Sequence, residues 1–388
     1  MNVNKKHNLL AAATAVFSVL IAGYVGFGSL AEPVKAEKNN AVTVSTVATG
    51  LNNPRGLSFG PDGALYVAEA GSGGPGPCGP GPEGDRCYGE TGSVSRIDPR
   101  TNAATRVASA LPSLAGPDGS FATGVHDISF QGLGNAYLTT GFAGDPADRT
   151  ANFGSVGMNF ARLARMNAAG KFSLVQDLGG YEAANNPTGD EVDSNPYGIL
   201  ALPGRQVLTD AGGNALNQVS ARGRISTLAT FPDRMVLAPP FLELPPGTLI
   251  PMDAVPTSVA QGPDGAFYVG QLTGFPFPVG DANVYRVPED GGAAAIHAGG
   301  FTAVIDVAFG HDGSMYVVEI AKNGLLAAFI DGDWTGALIR IAPDGTRTEI
   351  APGTLTAPGG VAVGSDGALY VTNNSIFSGT GEVVRIEQ

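Results

Sequence analysis

The words GPDGALYV (60–67), GPDGAFYV (262–269), GHDGSMYV (310–317) and GSDGALYV (364–371) recur along a chain of 388 residues, and this recurrence constrains the fold more than any other feature. Asp-Gly between apolar runs marks a tight β-hairpin, because Gly accepts positive φ without steric cost and Asp caps the turn. One hairpin cannot bury both of its faces, so a chain that repeats it must stack the copies on one another. Aligned on the strand after the turn, six copies emerge, at 64–70, 136–141, 206–212, 266–272, 314–320 and 368–374. Each follows a short apolar strand and precedes a third, and the first five copies have a fourth. The sixth ends at Gln388 without one, while VTVSTVA (42–48) stands alone ahead of the first copy. A ring in which that N-terminal strand completes the last blade leaves no open edge. These observations predict an all-β fold, a six-bladed β-propeller of four-stranded blades closed by the N-terminal strand.

Up-and-down strands assign every connection to a face. One face holds only short turns, including the GPDG tips; the other collects the long segments 71–92, 110–124, 141–160, 179–196, 232–256, 273–282 and 321–336. Loops carried by a rigid scaffold are where function concentrates, so the long-loop face and the mouth of the central channel are the expected working side. Composition agrees with β structure: 57 Gly and 28 Pro supply turns, and only 15% of residues are charged. A net charge of −13 argues against nucleic acid or an anionic membrane surface as partner and suits a soluble monomer.

Residues 1–31 have a basic start (Lys5, Lys6), an apolar run from Leu9 and small residues at Ser29 and Ala31, the pattern of an export signal. The apolar run approaches the roughly 20 residues that span a bilayer, so an uncleaved anchor is the alternative. Residues 32–40 read as a linker and 41–388 as one propeller domain, in a periplasmic, cell-surface or extracellular protein. Cys78 and Cys87, the two cysteines, flank a Gly/Pro-rich loop and are expected to form a disulfide in that oxidising setting.

Strand starts and strand ends place a candidate ligand-binding set at the channel mouth: Arg55, Glu69, His126, Asn195, Tyr197, Asp210, Thr257, Gln271, Asp306, Glu319 and Asn373. Glu69, Asn195, Asp210 and Glu319 are hard oxygen donors for Ca²⁺ or another divalent cation; the other reading is that they bond loop backbones or line the channel. His126 beside Asp127 has the chemistry of a general base or of a structural histidine, and no nucleophile elbow or metal-binding helix accompanies it. In DEVDSNPYG (190–198) an Asx-capped turn into the next strand is favoured over a cation loop, which requires a mid-loop Gly. Phe275 and Phe277, set between prolines in a stiff loop, offer a binding wall or pack on the neighbouring loop 239–253.

PRGLSFGPDGALYVAEAG, SNPYGILALPG, PMDAVPTSVAQGPDGAFYVGQLTGFPFPVGDANVYRV and GALYVTNNSIFSGTGEVVRIE together resemble the ScyD/ScyE family of exported bacterial proteins, over essentially the whole mature chain. That resemblance implies a propeller, export, and a link to gene clusters for the sunscreen scytonemin. The blade phrases are shared with NHL-like propellers. A more distant similarity is to SMP-30/gluconolactonase-type propellers, which hold a divalent metal with Glu, Asn and Asp; Glu69, Asn195 and Asp210 have the matching types. The expected function is binding of a small molecule or cell-surface component, connected with secondary-metabolite processing. The alternative is a metal-dependent lactonase.

Overall fold

A computed structural model describes residues 42–132 and 134–388; the expected signal (1–31) and linker (32–40) lie outside the described residues. Six antiparallel sheets form the blades, five of four strands and one, in blade 1, of four with the short strand Cys78–Gly79 added beside the third. Blade 1 comprises Pro54–Phe59, Leu65–Glu69, Arg86–Ile97 and Ala104–Ala115, and blade 2 comprises Val125–Gln131, Asn135–Thr140, Arg162–Met166 and Phe172–Asp177. Blade 3 runs Pro196–Leu202, Arg205–Asp210, Ala215–Ser220 and Ile225–Thr230; blade 4 runs Pro256–Gln261, Phe267–Gln271, Ala282–Val287 and Ala295–Phe301. Blade 5 holds Val304–Phe309, Met315–Glu319, Ala337–Ile341 and Arg347–Ile350. In blade 6, Val361–Val363, Leu369–Asn373 and Gly381–Glu387 are completed by Thr43–Leu51, which pairs with the last strand from Thr43 opposite Glu387 to Leu51 opposite Gly381.

The repeated Asp of the hairpin tips does two things at once. In blade 1, Asp62 Oδ1 accepts the backbone N–H of Ala64 while Oδ2 accepts from Arg96 of the third strand at 2.8 Å. Asp264 with Arg286, Asp312 with Arg340 and Asp366 with Arg385 repeat this arrangement in blades 4, 5 and 6. The turn and the third strand are thereby tied together by the same residue. Each exposed pair is worth at most about 1 kcal/mol, so the repeat specifies register more than it stabilises.

Cohesion comes from apolar layers between blades. Leu65, Val67 and Ile97 of blade 1 pack on Tyr370 and Val383 of blade 6, and Val207 and Leu216 of blade 3 pack on Phe267, Val269 and Val287 of blade 4. Close approach at the hub requires glycine: a Cβ on Gly56 would lie 1.9 Å from the Asp127 carboxylate of the next blade.

The long-loop face is more ordered than its sequence suggests. Segments 71–92 and 110–124 continue the outer strands of blade 1 as a twisted ribbon, with Cys87 opposite Ala115 and irregular register around Gly89 and Gly92. Those glycines break the period-2 pattern by which a strand is read from sequence. Short helices occupy Asp148–Phe153, Leu178–Asn185 and Leu325–Asp331, and a hairpin of Arg234–Leu237 with Leu249–Met252 rises from segment 232–256. No helix among the described residues is long and apolar enough to cross a membrane.

Candidate binding site at the channel mouth

The innermost strands begin at a common level, so Arg55, His126, Tyr197, Thr257, Ile305 and Gly359 ring the mouth, followed by Gly56, Asp127, Gly198, Asp306 and Gly360. They enclose about 10 Å³, room for about one water molecule. The hub itself is therefore closed to an organic ligand. A larger hollow of about 570 Å³ lies on the other side, in the groove between blades 2 and 3, lined by Gln131, Arg165, Gln176, Gln206 and Arg222.

His126 is 3% exposed, and its Nδ1 donates to the Pro196 carbonyl at 3.1 Å, since a carbonyl only accepts. Burial first, then the charge of Arg55, pushes its pKa down to about 3, so the ring is neutral. It stacks on Tyr197 with centroids 4.5 Å apart. Thr257 Oγ1 donates to Val304 O at 2.9 Å, tying blade 4 to blade 5. Asp306 accepts the backbone N–H groups of Val307 and Val361; burial raises its pKa to about 7.

Arg55 is 8% exposed and donates from Nη2 to the Ala122 carbonyl at 2.8 Å, while its Nε has no partner. Tyr197 takes a further hydrogen bond from it. Beside it stands Arg86, buried and held by the carbonyls of Pro80, Phe142 and Ala143, with its guanidinium 4.9 Å from the Phe142 ring centroid. Burial lowers the Arg86 pKa to about 10. Glu83 lies on the loop closed by the Cys78–Cys87 disulfide. Its side chain keeps solvent access, yet the surrounding walls raise its pKa while Arg86 and Arg55 draw it down.

The candidates at the second-strand ends share a different placement. Glu69, fully buried, accepts from Asn52 N and Ser95 Oγ and pairs with Arg106 at 3.0 Å. Asp210 accepts from Asn195 N, Ser194 Oγ and Gly213 N; Glu319 accepts from Thr302 N at 2.7 Å, and burial raises its pKa to about 7. Gln271 accepts from Asn283 N, and Asn373 from Thr356 N. Glu69, Asp210, Glu319 and Asn373 thus anchor the connections that lead into their blades, and Gln271 anchors a strand of its own blade. Asn195 Oδ1 accepts from Phe142 N, and Asp193 accepts from Gly144 N at 2.8 Å, so DEVDSNPYG clasps the blade 2 loop, where the sequence suggested an Asx-capped turn. Among the described residues no group of three or more His, Cys, Asp or Glu is placed to hold a metal ion. Glu69, Asn195, Asp210 and Glu319 are distributed over blades 1, 3 and 5.

Sequence reasoning passed over Arg86, Glu83 and Glu182, and met Asp193 only as one of the acids of DEVDSNPYG. The first two were legible only as charges inside GPGPEGDR, a Gly/Pro-rich stretch in a chain otherwise poor in charge. Glu182, on the helix Leu178–Asn185, is 1% exposed with neither carboxylate oxygen partnered; burial, then Asp210 and Asp193, raises its pKa to about 7. Phe275 and Phe277 sit edge to face 6.0 Å apart, and Phe241 of the hairpin tip reaches Phe275 at 6.2 Å.

No protein-family model matches the chain, and no curated protein matches it by sequence. Solved structures do match in fold. A gluconolactonase from Xanthomonas campestris is 9% identical with a TM-score of 0.52, covering 89% of this chain and 90% of its own. The PQQ-bound aldose sugar dehydrogenase from Streptomyces coelicolor is 15% identical with a TM-score of 0.52, covering 92% of this chain and 99% of its own. The structural neighbours are thus gluconolactonase-like and related β-propellers, and at these identities the likeness establishes the fold alone.

Proposed function

We propose that this chain is an exported binding propeller that uses its long-loop face to hold a small molecule with an apolar, aromatic body. One observation carries the reading. The hairpin rising from segment 232–256 turns Met235, Leu237 and Leu249 outward at 58%, 67% and 51% exposure, while Ile250 and Met252 of the same hairpin are buried. Phe241 and Leu244 of the same segment are also exposed, as is Val279 of the loop 273–282, and the Phe241 ring meets Phe275, which meets Phe277. Scattered exposed apolar residues are ordinary, whereas a contiguous group on one insertion marks a surface that is covered in use. Aromatic rings on stiff loops suit a flat ligand because little side-chain entropy is lost on contact. The lactonase alternative draws on fold neighbours and lacks a converging set of metal ligands among the described residues.

Titration of the full chain with the uncharged dye Nile red, read by fluorescence, tests the assignment. The wild type is expected to bind it, and the M235S/L237S variant to bind at least about fivefold more weakly, as loss of two buried apolar contacts implies. Equal dye binding by the two proteins would overturn the reading.

A further inference from the structure

The repeat breaks at two positions, and both breaks line one groove. In blades 1, 4, 5 and 6 a third-strand arginine pairs with the Asp of its own hairpin tip: Arg96 with Asp62, Arg286 with Asp264, Arg340 with Asp312 and Arg385 with Asp366. Arg165 holds the same register position in blade 2, opposite Tyr137 as Arg96 is opposite Tyr66. Its hairpin reads QGLGN (131–135) and has no acid, so Arg165 stands exposed without an ion pair among the described residues.

Gln206 is the second break. Opposite the third strand, one residue before that tyrosine, the other five blades carry Leu65, Ala136, Phe267, Met315 and Leu369, each at most 2% exposed. Blade 3 has Gln206 there, opposite Val219 as Leu65 is opposite Ile97. It is 5% exposed, and its amide makes no hydrogen bond among the described residues. A buried amide without a partner is costly at a place where an apolar side chain fits, and a ligand that bonds to it removes that cost.

Both residues line the hollow of about 570 Å³ between blades 2 and 3, at its short-turn end, where the turn 221–223 adds Arg222 to the same wall. Arg222 is likewise exposed and makes no ion pair among the described residues. Gln176 reaches that turn from the outer strand of blade 2, since a Cβ on Gly223 would lie 2.6 Å from its Nε2. Gln131 donates from Nε2 to the Leu202 carbonyl at 2.7 Å and keeps its Oε1 as an acceptor. No carboxylate lines the groove among the described residues. In a chain of net charge −13, the uncancelled positive charge there is local.

We propose that this groove binds an acidic saccharide, with Arg165 and Arg222 taking its carboxylates and the amides of Gln131, Gln176 and Gln206 its hydroxyls. Guanidinium forks match carboxylates, and a carboxamide both donates and accepts, as a hydroxyl does, so the lining suits a ligand that carries both groups. The volume falls in the range of about 300–1,000 Å³ usual for small-molecule pockets. This site is separate from the apolar hairpin of the long-loop face and takes a ligand of the opposite character.

Digalacturonate is the probe, titrated calorimetrically into the full chain at constant ionic strength. Wild type is expected to bind it, and to bind galactobiose, which has the hydroxyls without the charge, and sulfate, which has the charge without the hydroxyls, at least about tenfold more weakly. R165Q should lose at least about tenfold in affinity, and Q206L, which restores the residue type of the other blades, about fivefold while folding as wild type does. R96Q removes the same charge from the same position of blade 1 and should leave affinity unchanged, as should M235S/L237S. No heat in wild type, sulfate binding as tight as digalacturonate, or a loss in R165Q no greater than in R96Q would overturn the proposal. Should R165Q fail to fold, R222Q takes its place in that comparison.

Discussion

The Asp306 carboxylate of blade 5 accepts the backbone N–H of Val361 in blade 6 at 2.7 Å, and Asp127 of blade 2 does the same for Ile199 of blade 3 at 2.8 Å. Blades 2 and 5 are opposite in a six-membered ring, so two clasps hold the hub at diametrically opposed junctions. Each carboxylate also accepts the N–H of its own following residue, Val307 or Ile128. D306A or D127A would strand two backbone donors in a closed cavity, and each is expected to destabilise the fold by about 2–4 kcal/mol. Urea unfolding measures this; a midpoint equal to wild type would deny the clasps a role.

Removing residues 42–51 tests the closure of blade 6. Val47, Ala48 and Leu51 of that strand are buried at 5%, 7% and 3% exposure, and the last strand loses its only outer neighbour when they go. A loss of several kcal/mol and self-association through the bared edge are expected. A truncated chain that melts like wild type and stays monomeric on gel filtration would contradict it.

Glu182 makes stability depend on pH. Its folded pKa of about 7 lies above the unfolded value of 4.5, so its contribution is fully present below pH 4.5 and is lost as pH rises through 7. E182Q removes an ionisation without removing a hydrogen bond, since neither oxygen has a partner. The variant should be more stable than wild type at pH 8, by on the order of 2 kcal/mol at most, and indistinguishable from it at pH 4. Melting curves that differ equally at both pH values would rule out this origin.

The disulfide joins Cys78 and Cys87 across a short loop. On the chain-entropy account a loop of this length contributes about 2–3 kcal/mol, and most of the effect should be local. C78S/C87S is expected to keep the blades intact while amide exchange quickens at 78–89. Alkylation of two thiols in unreduced protein, seen by intact mass, would show that the bond is not formed.

The blades were legible because four of the six repeats state their own turn, Asp62, Asp264, Asp312 and Asp366 fixing hairpins that local chemistry alone specifies, and the other two keep the same frame. Long-range clasping was not legible. Glu69, Asp210 and Glu319 appear in the sequence as carboxylates at equivalent strand ends, and nothing local states whether they face the channel or turn back to Asn52, Asn195 and Thr302. The site suffers most from this, since Arg86 reaches the Phe142 and Ala143 carbonyls only from a ribbon whose glycines erase strand periodicity. His126 was visible as a titratable group, but the Pro196 carbonyl that fixes its tautomer belongs to another blade.

The register that sets Thr43 opposite Glu387 brings the start and the finish of the ring to the same end of one antiparallel pair. Tension applied between those two ends would act perpendicular to the strands and part Thr43 from Glu387, then Val44 from Ile386, one pairing after another, as a zipper opens. Strands pulled along their length would instead have to break all their bonds together. The seam in blade 6 is accordingly the mechanical weak point of an otherwise continuous ring, and a pull on the chain ends would open the propeller there before any other blade loosens.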